Sequence, residues 1–468
     1  GQVNSEGNRI STNAETSGRY HTDWLNMMYP RLRLARNLLT EDGVIFISID
    51  DNEVDNLKKI CNEVFGEDNL LGTFIVNSTP NARDYGHIGK MHEFVLFYGK
   101  NSQETFTNML PDEDKTFKYS DETGGFNIHP LYNSNVAFNN KNRPNLYYPF
   151  YVNPQKRDDD FYEIGLEKKE GWVEVYPPLS VKDGVQFVWR WGKEKALKYM
   201  NQEIIGYKVA DCEFRIVQKM RHSEKIIRSL LTNTSYSSRR GTAEVENLFG
   251  EKIFTFPKPI ALLNDFVRIA STENSIVLDF FSGSATSAHA VMQLNAEDGG
   301  NRKFIMVQLP EPTDNVGFPN ICEIGKERIR RAGEKIKEEK GLEAQNLDIG
   351  FKVLKLDTSN IRKWQPDYDN LEQSLLDYVD NYMEGRTELD VVYEIMLKYG
   401  LDLTYPVDEF TLAQKKVYSI GFGMLMICLD NEITTEVAKD ILEKVKELAP
   451  ETTRVVFKDN GFKTDSNK

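Results

Sequence analysis

The segment Ser275–Asn295, "SIVLDFFSGSATSAHAVMQLN", constrains the fold more than any other part of the chain. Three apolar residues lead to Asp279, a loop of small residues follows, and a helical pattern starts at Thr286. Strand, short loop and helix form the ligand-binding unit of doubly wound α/β folds, with the ligand at the carboxyl edge of the sheet. An ordinary turn between a strand and a helix is the alternative. The segment predicts an α/β fold with a binding site at this turn.

The residues of this loop distinguish between ligands. A dinucleotide site needs a G-x-G-x-x-G loop so that pyrophosphate reaches backbone amides, and here Gly283 is the single glycine. Asp279 repels phosphate but accepts hydrogen bonds from an amine or a cationic ligand. S-adenosylmethionine carries an ammonium and a sulfonium, which favours it over a nicotinamide cofactor, the alternative that an oxidoreductase would use. The predicted cofactor-binding residues are Asp279, Phe280, Phe281, Ser282, Gly283, Ser284, Ala285 and Thr286.

The α/β pattern is interrupted in the middle of the chain. A helix at 23–43 with Asp23 as its N-cap, the strand "VIFISID" and a second helix are predicted near the start. Short aromatic segments then indicate an α+β insertion, and "IGFKVLKLD" (349–357) and "LEQSLLDYVDNYM" (371–383) are predicted as a strand and as the start of a separate piece. The predicted domains are 1–100, 101–250, 251–364 and 365–468.

Composition limits the possible classes of protein. The 468 residues contain no apolar run of ~18, so no membrane span is expected. Four well-separated cysteines without a C-x-x-C pair indicate neither a disulfide framework nor a metal site, and they fit the cytoplasm. Net charge is −14 overall, but residues 141–260 carry 21 Lys and Arg against 16 Asp and Glu. Residues 365–468 carry 11 against 21, so the middle suits phosphate contacts better than the C-terminal part.

Several segments of the sequence resemble those of a known family. "FPKP" followed by a helix and "VLDFFSGSATSAHAV" resembles the cofactor half of β-class amino-methyltransferases of DNA. "GRYHTDWLNMMYPRLRLARNLLTEDGVIFISIDDNE" and "RRGTAEVENLFG" resemble Mod subunits of type III restriction–modification systems. The likeness covers most of the chain outside about 101–235. In this class the order is permuted, with the cofactor loop after the target-recognition region, which explains why the loop lies so late in the chain.

The resemblance implies a fold, an activity and partners. It implies a Rossmann-like class I methyltransferase sheet in permuted order, with an inserted α+β target-recognition region and a small C-terminal α+β domain for subunit contacts. The implied activity is methylation of adenine N6 in duplex DNA with S-adenosylmethionine, after the base is flipped from the stack. A homodimer and a Res helicase–nuclease partner are implied as well. Lys258 then lines the cofactor pocket, and either Gln308 or Glu311 meets the ribose.

Basic and aromatic residues of the insertion are candidates for DNA contacts. Arg190 and Lys193 lie in a cluster with Trp189 and Trp191, and Arg239 and Arg240 precede Gly241. Such cations contact phosphates, whereas the tryptophans are expected to belong to the core of the small domain.

One departure from the family concerns the chemistry. Its members carry an Asp-Pro-Pro-Tyr tetrapeptide that holds the adenine amino group and stacks on the flipped base, and this sequence has none. The adjacent prolines of "YPPL" (Tyr176–Leu179) lack a polar acceptor before them and an aromatic residue after them. We therefore assign no catalytic residue and expect a fragment that starts downstream of the catalytic loop and is inactive alone. A DNA-reading and assembly module without turnover is the alternative function.

Overall fold

The computed structural model of the chain describes residues 21–81, 87–112, 114–210, 213–314, 317–363, 368–370 and 382–468. The chain divides into two compact units, residues 1–349 and residues 350–468. The α-helices are α1 (Thr22–Leu38), α2 (Val54–Phe65), α3 (Lys193–Tyr199), α4 (Ser238–Phe249), α5 (Ile260–Ala270), α6 (Thr286–Asp298), α7 (Ile321–Lys340), α8 (Glu388–Lys398) and α9 (Thr435–Leu448).

The strands of the first unit are β1 (Val44–Ile49), β2 (Leu70–Val76), β3 (Glu93–Gly99), β4 (Leu110–Pro111), β5 (Tyr119–Asp121), β6 (Gly124–Pro130), β7 (Tyr132–Asn133), β8 (Phe150–Asp158), β9 (Phe161–Gly165), β10 (Val173–Val175), β11 (Leu179–Ser180), β12 (Val185–Gln186), β13 (Val188–Trp189), β14 (Ile204–Ala210), β15 (Glu213–Met220), β16 (Glu224–Lys225), β17 (Leu230–Leu231), β18 (Ile276–Asp279) and β19 (Lys303–Met306). Those of the second unit are β20 (Val407–Leu412), β21 (Lys415–Ile420), β22 (Leu425–Cys428) and β23 (Arg454–Phe457).

A four-stranded sheet in the order β1-β3-β2-β17 opens the first unit. Strand β3 is antiparallel to both of its neighbours, and β17 is parallel to β2. The residues of β1 alternate between two covered faces, with Ile45 and Ile47 against α1 and α2 and Val44 and Phe46 against α5. Because helices cover both faces, the strand is apolar except at Ser48.

The helices and strands from α5 to α7 hold the predicted cofactor loop. Strands β18 and β19 are parallel, with Ile276 opposite Lys303, and α6 connects them. Helix α6 packs between α5 and α7 and is buried on nearly all sides, which explains its run of small and apolar residues. In the described part of the chain, this two-stranded ladder is separate from the four-stranded sheet.

The insertion is an antiparallel sheet of seven strands in the order β10-β8-β9-β14-β15-β6-β5. It spans Tyr119–Met220, inside the predicted 101–250 range. Trp189 lies in its core, where the indole N–H donates to the carbonyl of Tyr148 at 2.7 Å. Trp191 packs against the same core, so the prediction that tryptophans build this small domain is confirmed for both residues.

The chain order of these parts confirms the predicted fold class. A mixed sheet with helices on both faces comes first, the inserted sheet second, and the β18–α6–β19 unit third. This is a mixed α/β fold in which the unit with the predicted cofactor loop follows the insertion, in the order that the resemblance implies. The four-part division of the chain stays a prediction.

The second unit is a sheet in the order β20-β21-β22-β23 between two helices. Strand β23 is parallel to β22, whereas the other pairs are antiparallel. Along β22, Leu425 and Ile427 face α8, and Met426 and Cys428 face α9. This strict alternation of two apolar faces gives the unit a core of its own.

Two local predictions are wrong, and one falls outside the described residues. Helix α1 starts at Thr22 with His21 as its N-cap, so Asp23 is not the N-cap and lies in the first turn. There its negative charge interacts favourably with the helix dipole. The segment 349–357 forms no strand, because no strand of the described residues pairs with it and the Lys352 ammonium instead donates to the carbonyls of Leu403 and Tyr405. Residues 371–381 lie outside the described residues.

Candidate functional site

The loop between β18 and α6 turns sharply through two residues in the left-handed region. Gly283 has φ 51° and Ala285, the N-cap of α6, has φ 60°. The amide of Ala285 donates to the Ser282 carbonyl at 2.7 Å, and the Ser282 amide donates to the Val307 carbonyl at 3.2 Å. Glycine tolerates this conformation, but alanine adopts it only where its surroundings fix it.

The Asp279 carboxylate ends β18 and binds the loop itself. One oxygen accepts the Phe281 amide at 3.1 Å and the other accepts the Ser287 hydroxyl at 2.5 Å. The charge therefore lies against the N-terminal turn of α6, where a negative group is favourable. A carboxylate has about four acceptor positions, so Asp279 can also receive donors from a ligand.

The side chains of the loop divide into buried and outward-facing groups. Those of Ser282, Ser284, Ala285 and Thr286 are buried, whereas 41% of Phe281 is exposed. The Phe280 ring is tilted against that of Phe281 at 5.3 Å between centroids. A ligand at this loop therefore meets the carboxylate, the two aromatic rings and backbone groups.

Gln308 lies just beyond β19 and supports the loop. Its side-chain carbonyl accepts the Gly283 amide at 2.8 Å, and its amide nitrogen donates to the Leu309 carbonyl at 3.2 Å. The backbone of Glu311 is fixed as well, because its carbonyl accepts the Ile321 amide at the start of α7. The Gln308 side chain thus orders the turn, and its contact with a ribose stays a prediction.

Lys258 lies in the segment before α5 and forms an ion pair with Glu93 at the start of β3. The pair joins the four-stranded sheet to the segment that precedes the cofactor unit. The neighbouring residue Pro257 packs against α4, where a Cβ on Gly241 would lie 2.3 Å from the Pro257 carbonyl oxygen. The contact of Lys258 with a cofactor stays a prediction.

Two charged or titratable side chains, Arg328 and His289, are buried near the loop, and the half-buried Glu244 lies close to Arg328. Arg328 of α7 is 1% exposed, and its Nη1 donates to the hydroxyls of Ser284 at 2.8 Å and Thr286 at 2.6 Å. Burial lowers the pKa of Arg328 to about 10, so it stays cationic at neutral pH. Burial, followed by the charge of Arg328, lowers the pKa of His289 to about 3, and burial raises the pKa of Glu244.

A sequence signal for Arg328 existed. Ile324, Ile329, Ala332 and Ile336 form the buried stripe of α7, and Arg328 falls within that stripe. An arginine at a core-facing position of an amphipathic helix indicates a buried partner. Ser287 and Glu93 gave no comparable signal, because each is an ordinary residue for its position.

The candidate DNA-contact residues lie in two places. Arg190 is exposed beside the buried Trp189, and the Lys193 ammonium lies 5.5 Å from the centroid of the Tyr148 ring. Arg239 and Arg240 lie in the first turn of α4, outside the seven-stranded sheet. The Arg240 guanidinium is 3.7 Å from the Glu244 carboxylate. The four cations therefore form two separate pairs along the chain, and the structure shows no contact between the pairs among the residues that it describes.

The described residues lack both a metal-binding cluster and a membrane-spanning helix. No group of His, Cys, Asp and Glu side chains there is arranged to hold a metal ion. Among the helices of the same residues, none is long and apolar enough to cross a membrane.

Comparison with known proteins defines the class to which the chain belongs. Residues 7–332 match the N6/N4 family described as DNA methylase. The chain therefore belongs to the DNA methylase family. This confirms the resemblance to DNA methyltransferases that the sequence indicates.

The similar proteins narrow that class to modification enzymes of restriction systems. The chain is 31% identical over 486 residues to the type III restriction–modification enzyme EcoPI Mod subunit of Escherichia phage P1, covering 98% of this chain and 72% of that protein. It is 31% identical to the type II methyltransferase M.KpnI of Klebsiella pneumoniae over 69% of this chain and 76% of that protein. The solved structure of the cytosine-N4-specific PvuII DNA methyltransferase is 12% identical, with a TM-score of 0.32 over 73% of this chain and 83% of that one. The Mod-subunit similarity includes the second unit.

Proposed function

We propose that the chain provides the cofactor-binding and DNA-recognition parts of an adenine-N6 methyltransferase of duplex DNA, with S-adenosylmethionine as methyl donor, in the modification and recognition subunit of a type III restriction–modification system. The observation that carries the choice of cofactor is the Asp279 carboxylate, which binds the Phe281 amide and the Ser287 hydroxyl at the start of α6. A dinucleotide would place its pyrophosphate at such a helix N-terminus. A negative side chain already lies there, which disfavours a second anion and favours a ligand with an ammonium group.

Other residues of the loop support the same ligand. The exposed ring of Phe281 offers an apolar wall, and the rigid turn at Gly283 brings backbone close to a ligand. Because the side-chain carbonyl of Gln308 accepts the Gly283 amide, we assign the ribose hydroxyls to the Glu311 carboxylate. When bound, S-adenosylmethionine supplies the electrophilic methyl group, while these residues bind and orient it.

The inserted sheet, Tyr119–Met220, is the proposed target-recognition region. A base must leave the stack before its amino group can react, so the protein has to hold a flipped base and the surrounding duplex. Exposed cations such as Arg190 suit contacts with phosphate, which position a protein on DNA without reading its sequence. A homodimer that associates with a Res helicase–nuclease subunit, in the cytoplasm, completes this proposal.

Two measurements on the 468-residue chain test the proposal. Calorimetric titration should give binding of S-adenosylmethionine and none of NAD, and binding of NAD alone would reverse the choice of cofactor. Transfer of labelled methyl groups to mixed-sequence duplex DNA should be absent, because no Asp-Pro-Pro-Tyr sequence holds the adenine amino group. Turnover by this chain, free of contaminating methylase, would show that its catalytic residues lie elsewhere within these 468 residues.

A further inference from the structure

The guanidinium of Arg328 contacts the cofactor loop on both sides of its strained residue. Its Nη1 donates to the hydroxyls of Ser284 and Thr286, which directly precede and follow Ala285. Ala285 has φ 60°, a conformation that a residue with a Cβ rarely adopts. Such a residue persists where neighbouring contacts fix it, and Arg328 supplies two of those contacts.

Helix α7 also makes room for the loop one turn earlier. A Cβ on Gly325 would lie 3.5 Å from both the Ala285 Cβ and the Gly283 carbonyl oxygen, so the loop packs directly on this part of the helix. Gly325 and Arg328 are three residues apart and share one face of α7. The same helix face therefore gives the loop its packing surface and its two hydrogen bonds.

Stability alone does not account for a charge at this position. Arg328 occupies the buried stripe of α7, where an apolar side chain would avoid the cost of removing a guanidinium from water. Its Nε and Nη2 have no hydrogen-bond partner among the described residues, which adds to that cost. Burial raises the pKa of Glu244, the acidic group whose charge acts on Arg328, above its usual value. Buried polar atoms without a hydrogen-bond partner are rare in folded proteins, so a role other than stability is needed to explain this arginine.

We propose that Arg328 is a positioning residue that holds the cofactor loop in its binding conformation through the hydroxyls of Ser284 and Thr286. It does not itself contact the cofactor. The consequence for cofactor affinity rests on the proposed function, whereas the consequence for the loop conformation does not.

Hydrogen exchange of the unliganded protein tests the conformational part. Arg328→Met should speed exchange of the protected amides of Ser282, Gly283 and Ala285 at least tenfold, because the turn loses its two fixed hydroxyls. Arg330→Met is the matched control, since Arg330 lies on the same helix with 56% of its side chain exposed. Equal loop protection in the parent and in a folded Arg328→Met variant would overturn the proposal.

Cofactor titration tests the functional part. Arg328→Met should weaken S-adenosylmethionine binding at least tenfold, Arg328→Lys should recover part of the loss, and Arg330→Met should bind like the parent. Unchanged affinity in Arg328→Met would overturn this part. Failure of the parent to bind S-adenosylmethionine would instead contradict the proposed cofactor, and loop exchange would still decide the role of Arg328.

A second variant covers the case in which Arg328→Met does not fold. The double variant Ser284→Ala, Thr286→Val removes both acceptors and leaves α7 unchanged. It should show the same faster exchange at Gly283 and Ala285. Loop protection equal to that of the parent in this double variant would show that the two hydrogen bonds do not hold the turn.

Discussion

At the scale of single residues, the loop is held together by partners that lie close in space but apart in sequence. Asp279 binds Ser287 eight residues later, Gln308 binds Gly283, and Arg328 reaches Ser284 over 44 residues. The sequence predicts Asp279 because the end of an apolar strand is a local pattern. It does not predict which distant side chain meets each loop residue, because that depends on how α6 and α7 pack. The sequence predicts that either Gln308 or Glu311 meets the ribose, and the structure places the Gln308 side-chain carbonyl on the Gly283 amide.

Replacement of Asp279 tests the residue on which the choice of cofactor depends. Asp279→Ala should weaken S-adenosylmethionine binding by at least ~1.5 kcal/mol, because a charge-assisted hydrogen bond and the order of the loop are both lost. Ser287→Ala is the matched control, since it removes one donor to the carboxylate and keeps the charge. We expect a smaller loss there. Calorimetry on the folded variants measures both affinities. Unchanged affinity in Asp279→Ala would show that Asp279 does not bind the cofactor.

At the scale of secondary structure, long periodic segments are predicted well and short or unpaired ones are not. Helix α2 and strand β1 follow their apolar patterns, because those patterns match the faces that are buried. The segment 349–357 has a strand-like composition without a neighbouring strand in the described residues, so side-chain contacts determine its conformation instead. Seven antiparallel strands were predicted only as an α+β insertion, since strand pairing between distant segments leaves little local signal.

The packing of α4 on the Phe256–Pro259 segment gives a prediction for element contacts. Gly241→Ala should lower the free energy of unfolding by about 1–3 kcal/mol, because the new methyl group would lie 2.3 Å from the Pro257 carbonyl and would push the two segments apart. Gly72→Ala in β2 is the control, since nothing lies within 4 Å of its added Cβ. Urea denaturation of both variants makes the comparison. Equal stability of the two would show that α4 does not pack this tightly.

The edge of the inserted sheet gives a prediction about pH. Arg221, followed by Lys219, holds the pKa of Asp121 well below its usual range. The pKa of an aspartate in an unfolded chain is about 4. Because the folded protein lowers this pKa, the ionised Asp121 stabilises the folded state above about pH 4, and this contribution is lost as the pH falls. The difference in unfolding free energy between the parent and Asp121→Asn should therefore narrow from pH 6 to pH 3. Glu122→Gln, an exposed neighbour, should give a small difference throughout. A gap for Asp121→Asn that is independent of pH would contradict this account.

At the scale of the whole molecule, charge separates the parts of the chain. Residues 141–260 carry 21 basic against 16 acidic residues, and residues 365–468 carry 11 against 21. The family match covers residues 7–332 and so ends before the second unit, which the EcoPI Mod similarity includes. This division favours DNA contacts in the first unit and, as we propose, subunit contacts in the second. Sequence alone predicts this distribution because charge needs no knowledge of packing.

Charge reversal tests which part of the molecule meets DNA. If cations of the first unit neutralise phosphates, binding weakens with salt, with a slope of about −0.9 per phosphate on a logarithmic scale. Reversing Arg239 and Arg240 to Glu should lower both the DNA affinity and this slope while leaving S-adenosylmethionine binding unchanged, and Arg190→Glu with Lys193→Glu should do the same. The matched control is Lys439→Glu with Lys446→Glu, which changes the net charge equally at exposed positions of α9. If the control pair reduced affinity as much as the others, total charge would explain the effect. If neither first-unit pair changed affinity across the salt series, the DNA contacts would lie at other residues.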